Sequence, residues 1–271
     1  MKESNIKLKY DKKPLTLDQQ VSLLKTRGLM IESEEEIINI YIFDNRLRFL
    51  LLDLLERIEK SFKCRMSSEL SIEENDSHWY LNKDFFDSAE KHKKILELIT
   101  EKVDSSRELS ILHYKYTYSE PTLPPIWTVL EILSFGQCVE IFTSLKKEYR
   151  NKISRSFGED EQFLTNWMLC LSLLRNHCAH YSRLWSRNLT FVPKIVHNDY
   201  GKYFNNSSNR LYNYLVILQI MLNKINPSSS WLEKLHEYVE EYHINTGQMG
   251  CPENWEKNLS EIIANKYKTT K

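Results

Sequence analysis

Between Ile37 and Leu70 the chain holds an unbroken helical hydrophobic pattern. Leu47, Leu50, Leu51, Leu54, Leu55, Ile58 and Phe62 recur at i, i+3, i+4 and i+7, the spacing of a bundle helix that buries one stripe against its neighbours. Arg46, Arg48, Glu56, Arg57, Glu59, Lys60 and Lys63 fill the other faces. The 271 residues hold only 6 glycines and 7 prolines, which leaves little turn punctuation and favours long helices. The expectation is an all-α fold, a helical bundle with additional peripheral helices and long loops. It forms one domain over 1–271, with an N-terminal extension and helix at 1–33 and a helical body at 34–271.

Shorter elements surround the long helix. Thr16 caps a helix running to about Gly28, with Leu17, Val21 and Leu24 on one face. Residues 71–87 read as a loop anchored by Trp79, Tyr80, Phe85 and Phe86, and Ser88 starts a helix through about Lys102 with Ile95, Leu98 and Ile99 inward. Tyr114, Tyr116 and Tyr118 beside lysine resemble a base-stacking platform, but their alternation before a proline elbow favours anchoring the next helix to the core. That helix is expected over Ile126–Leu145, with Trp127, Leu130 and Leu133 on its apolar face. KKEYRNKISRSFG reads as a basic surface segment, residues 209–225 and 230–242 as two helices, and MGCPENW as a C-terminal anchor through Trp255.

The chemistry gathers at 169–188, LCLSLLRNHCAHYSRLWSRN. At about 100° per residue, Phe163, Trp167, Leu171, Leu174 and Cys178 form a core-facing stripe. Thr165, Ser172, Asn176 and Ala179 lie opposite, flanked by Arg175 and His180, on a helix expected to reach Tyr181. Polar residues on a helix this apolar should be few and paired, yet here they converge. A guanidinium presents fixed donors to a phosphate, and an imidazole exchanges a proton near neutral pH. The plain alternative is a satisfied polar network, with Asn176 bonded to His180 and Arg175 paired to a carboxylate.

RNHCAH at 175–180 resembles the R-x4-6-H motif of the HEPN endoribonucleases. The longer RNHCAHYSRLW resembles the abortive-infection (Abi) family, whose members usually read RN-x-CAHH-x-RLWNR. KPLTLDQQVSLLKTRGL, YIFDNRLRFLLLDLLERIE, HYKYTYSEPTLPPIWTVLEILSFGQ and MGCPENW agree in order along the chain. The resemblance implies a HEPN-like bundle with Arg175, Asn176 and His180 as catalytic residues, and His177, Tyr181, Arg183 and Arg187 as RNA-contacting or supporting ones. It also implies an E-x3-K support element, which Glu59 and Lys63 match, although a solvated i,i+4 surface pair is the favoured account of them and Glu56 is an equally placed candidate. Three departures stand out: Tyr181 replaces the family's second histidine, Ser186 replaces an asparagine, and an INYYRL-like segment is missing before IINIYIFDN.

In RNA the 2′-hydroxyl beside the scissile phosphate can attack once a base takes its proton, so no metal or other cofactor is expected. Each motif supplies one imidazole where two proton transfers are needed. HEPN nucleases pair two motifs across a dimer, so a homodimer is expected, with the small residues Ser172 and Ala179 allowing close approach. The resemblance further implies RNA as substrate, a small-RNA or protein antitoxin as partner, and a toxin role in phage defence. A non-catalytic RNA-binding or protein-interaction scaffold in a defence system is the alternative.

Bulk properties set limits on partners. A formal net charge of zero argues against indiscriminate nucleic-acid coating, while residues 161–230 carry seven Lys/Arg against Glu161 and Asp199. The five cysteines include no CxxC pair, and His177 with His180 at i,i+3 lacks a distant partner motif, so no metal site is expected. The start has no apolar h-region and LVILQIML near 215–222 is too short to span a bilayer, so a cytoplasmic location is expected.

Overall fold

A computed structural model of the chain describes residues 13–26, 33–196, 199–225 and 230–264. Among them the structure is all-α, with eleven α-helices, four single-turn 3-10 segments and no sheet. The first two helices, α1 (Leu17–Thr26) and α2 (Glu34–Glu73), differ in scale: the second has 40 residues, about 60 Å at the usual rise. Thr16 and Gln19 cap α1 reciprocally, whereas the expected stop at Gly28 and the inward side chains of Leu17, Val21 and Leu24 lie outside the described residues. Ser33 caps α2 by accepting the N–H of Glu36 at 3.2 Å.

Leu47, Leu51, Leu54, Leu55, Ile58 and Phe62 are buried on α2, as the spacing predicts. Against them pack α5 (Ile126–Ile132), α6 (Phe135–Ser144), α7 (Lys147–Ser156), α8 (Glu161–Ala179), α9 (Leu211–Ile225) and α10 (Trp231–Glu241). Helix α9 is buried on every face from Leu211 to Leu222, the place an all-round apolar helix must take. Among the described residues no helix is long and apolar enough to cross a membrane. Trp79, Tyr80, Phe85 and Phe86 are buried as anchors, and Ser88 caps α3 (Ala89–Ser105). The chain closes with α11 (Trp255–Ala264), whose Trp255 and Leu259 are buried.

Four expectations are corrected. The predicted 126–145 helix breaks at Leu133 because Ser134 and Gln137 form a capping box, ending one helix and starting another. Trp127 is 51% exposed, since Ile126, Val129 and Leu130 form the buried face of the short α5. The tyrosine segment is helical in α4 (Leu109–Thr117), and a helix cannot turn alternate residues the same way. Tyr114 alone anchors, its hydroxyl donating to the Pro121 carbonyl at 2.7 Å, while Tyr116 is 94% exposed. KKEYRNKISRSFG becomes the amphipathic α7, with Ile153 and Phe157 buried and Arg150 turned inward to Glu161 at 2.6 Å.

Candidate active site

Helix α8 buries Phe163, Trp167, Leu171, Leu174 and Cys178, the stripe read from spacing. The opposite strip is less open than expected. Ser172 is buried with its hydroxyl donating to the Leu169 carbonyl at 3.0 Å, and Thr165 bonds Glu161. The small-residue face expected to meet a second copy is therefore covered at Ser172 by this chain's own packing. Asn176 is exposed, and Arg175 keeps 34% of its side-chain surface.

The helix stops at Ala179, short of Tyr181, in a Schellman turn. The Tyr181 N–H donates to the Cys178 carbonyl at 3.3 Å and the Ser182 N–H to the His177 carbonyl at 2.9 Å. This turn requires a left-handed residue, and Tyr181 takes that place at φ 54. His180 at the cap and Tyr181 after it therefore project outward, Tyr181 being 75% exposed. The side chain of His180 bonds no group among the described residues, so the Asn176–His180 side-chain pair of the satisfied-network reading is not formed. Only the backbone links them, His180 N–H to Asn176 carbonyl at 3.0 Å.

What fixes the turn comes from α2. Asp44 is buried and accepts the N–H groups of Leu184 at 2.8 Å and Trp185 at 2.7 Å. Its other oxygen binds Arg48, which is 7% exposed and not on a solvated face as its position on the helix suggested. A second α2 pair supports Arg175. Glu59 and Lys63, 13% and 18% exposed, bond at 2.8 Å, and Glu59 also lies 3.6 Å from Nε of Arg175. Lys63 donates onward to the Leu133 carbonyl at 2.7 Å, so the pair ties α2 to the α5–α6 break and to α8. This overturns the solvated-pair alternative, because neither group is free in water.

Arg175 borders a cavity of about 290 Å³ lined by Leu52, Asp53, Glu56 and Glu59. Each of the three carboxylates around Arg175 has a cation of its own: Asp53 with Arg57 at 2.8 Å, Glu56 with Lys60 at 2.6 Å, and Glu59 with Lys63. The terminal nitrogens of Arg175 make no hydrogen bond among the described residues. A Cβ on Gly136, in the first turn of α6, would lie 4.0 Å from Nδ2 of Asn176, so that turn borders the same polar corner.

The remaining candidates are distributed around the turn. Partial burial, and then the Arg187 cation, hold the His177 imidazole below the ordinary histidine range. Arg183 is exposed, and Arg187 donates weakly to its carbonyl at 3.5 Å. Burial pushes the Cys178 thiol up to about 12, as in an apolar core. Among the described residues no group of three His, Cys, Asp or Glu side chains is gathered as a metal site. The segment after the motif is held to α8 by Asn166 and Trp167, which bond Val192 and Lys194; residues 197 and 198 lie outside the described part. Asp44 and Arg48 are the functional supports that sequence reasoning missed, and the FDNRLR string offered no signal beyond an Asp–Arg i,i+4 spacing.

The all-α bundle thus presents Arg175, Asn176 and His180 at the end of one helix, braced by two ion pairs from another. A family model described as Abi-like protein matches residues 25–186, and the chain belongs to that family. Membership points to an abortive-infection role in defence against phage. No curated protein and no solved structure matches the chain.

Proposed function

We propose that this protein is a HEPN-type endoribonuclease acting as a growth-arresting toxin in phage defence, in the cytoplasm, using Arg175, Asn176 and His180 and no metal. The observation that carries the proposal is the state of the two central groups. The Arg175 guanidinium is paired through Nε with Glu59 yet its terminal nitrogens have no hydrogen bond among the described residues, and the His180 imidazole is exposed at the helix end with no side-chain bond among them.

In this reading His180 takes the 2′-hydroxyl proton or delivers one to the 5′-oxygen, a contribution of about 10²- to 10⁴-fold. Arg175 stabilises the charge growing on the phosphorane oxygens. Asn176 contacts a non-bridging oxygen or orients His180, and Arg183 and Arg187 hold the flanking backbone by charge. The products are a 2′,3′-cyclic phosphate and a 5′-hydroxyl. A small RNA or protein acting as antitoxin would have to cover this same corner.

The test is RNA cleavage by wild type and by His180→Ala in EDTA, with product ends analysed. Cleavage by wild type alone, leaving cyclic phosphates, is the expected result. Retained RNA binding with no cleavage by either protein would replace the enzyme with an RNA-binding scaffold.

A further inference from the structure

Trp127 differs from the other five tryptophans, all of which are buried, in leaving half of its surface open. It lines a cavity of about 440 Å³ between α5 and α2, with Leu130 and Glu131 beside it. Lys60, Lys63 and Ser67, on one face of α2, form the opposite wall. The cavity therefore combines an indole surface free to be stacked upon with a wall of polar and small side chains.

Two groups in it have no partner. Neither the Trp127 indole N–H nor the Glu131 carboxylate makes a hydrogen bond among the described residues, and Glu131 joins no ion pair among them. Residues 127 and 131 are i,i+4 on α5, so the ring and the carboxylate stand one turn apart on one face. The lysines opposite are already paired, Lys60 with Glu56 at 2.6 Å and Lys63 with Glu59 at 2.8 Å. An unpaired carboxylate repels a phosphate and paired lysines attract it little, so the cavity suits a neutral planar group that donates hydrogen bonds. Uracil has a single N–H between two carbonyls, and adenine and cytosine set their amino group beside a ring nitrogen that a carboxylate repels. Guanine alone among the RNA bases offers two adjacent donors, N1–H and the N2 amino group, which match the two oxygens of a carboxylate.

The cavity adjoins the candidate active site. Glu56 and Glu59 line the cavity beside Arg175, and their partners Lys60 and Lys63 line this one, so the two lie next to each other along α2. We infer that Trp127 and Glu131 form a guanine subsite for the RNA strand whose phosphate Arg175 holds. Trp127 stacks on the base, and Glu131 accepts from N1–H and the N2 amino group. The inference takes from the nuclease reading only that the ligand is RNA, and deepens it to a base preference. An arginine of a protein ligand also stacks on tryptophan and pairs with a carboxylate. Its charge, however, would enter a cavity lined by two ammonium groups and next to the Arg175 guanidinium.

Binding of short, labelled 2′-O-methyl oligonucleotides by the full chain, followed by anisotropy, tests the subsite; they lack the attacking hydroxyl and cannot be cleaved. A uracil strand carrying one guanine should bind about tenfold or more tighter than an all-uracil strand, as a good bidentate base contact gives. It should also quench tryptophan fluorescence, because Trp127 is the exposed tryptophan. Glu131→Gln should erase the preference by setting an amide donor against a guanine donor, with all-uracil binding unchanged. Trp127→Ala should weaken the guanine strand by about fivefold or more, and Trp127→Phe should recover much of that loss. Both side chains are exposed, so helix content and melting should stay as in wild type. Equal affinity for the two strands overturns the inference, as do variants that bind like wild type. So does an arginine peptide that binds tighter than the guanine strand, or free guanosine monophosphate that binds as tightly as the strand. Cleavage is read separately: guanine-dependent binding by a protein that cleaves no RNA sinks the nuclease and keeps the subsite. Cleavage blind to guanine and to Glu131→Gln does the reverse.

Discussion

Asp44 accepts the backbone N–H of Trp185 at 2.7 Å across 141 residues of sequence. The same oxygen takes the N–H of Leu184 and the other faces Arg48, so one buried carboxylate joins the start of the long helix to the turn that aims the motif. Few contacts in the fold so directly couple stability to site geometry.

Asp44→Ala should therefore be among the most damaging single changes outside the hydrophobic core. It leaves the Arg48 charge buried without a partner and two N–H groups unsatisfied, a loss of about 3–5 kcal/mol. Urea denaturation of the variant measures it. Adding Arg48→Met should recover much of that loss, and strictly additive costs would show that the two residues are not coupled.

Arg175→Ala should behave in the opposite way. A third of its side chain is exposed and its ion pair with Glu59 is long, so stability should change by less than about 1 kcal/mol while cleavage is lost. Lys63→Met, by contrast, strands both Glu59 and the Leu133 carbonyl and should cost about 1–3 kcal/mol. A stability loss for Arg175→Ala matching that of Lys63→Met would make Arg175 structural.

Of the four non-glycine residues that hold left-handed backbone among the described ones, two lie at the motif's end: Tyr181 at φ 54 and Ser186 at φ 55. Ser186 stands where the Abi family usually has asparagine, and asparagine is among the residues that tolerate this region best. Ser186→Asn should stabilise the protein by several tenths to about 1 kcal/mol, as should Tyr181→Gly at the helix end. Thermal melting checks both. Tyr181→His restores the family pattern, and a rise in cleavage would show that the second imidazole contributes.

His177 should titrate below an ordinary histidine because burial, and then Arg187, disfavour its cation. Since its folded-state affinity for a proton is the lower one, stability should fall as pH drops from about 6.5, the unfolded value, toward the depressed folded value. In Arg187→Gln the ring should titrate higher, read from its imidazole resonances. An unchanged titration would remove Arg187 from the site.

The sequence by itself determined the long helix, the motif helix and the face each of these two buries. Ile37–Leu70 read as one helix, and Phe163, Trp167, Leu171, Leu174 and Cys178 read as one stripe, because hydrophobic periodicity is a local signal. The break at Leu133 was legible too, in the S-x-x-Q of Ser134–Gln137, but a continuous apolar run concealed it. The position of Arg175, Asn176 and His180 near the end of the motif helix was likewise written in the chain.

Only the tertiary structure decided what those residues touch. Glu59 and Lys63 are an unremarkable i,i+4 pair until α8 and the α5–α6 break close over them, and the break itself supplies the Leu133 carbonyl that Lys63 needs. Arg48 reads as a surface cation until Asp44 turns to meet Leu184 and Trp185. Ser172 reads as an open face until its own chain covers it. The physical reason is common to all three: burial and partner identity depend on segments brought together from far along the chain, and helical spacing carries no record of them.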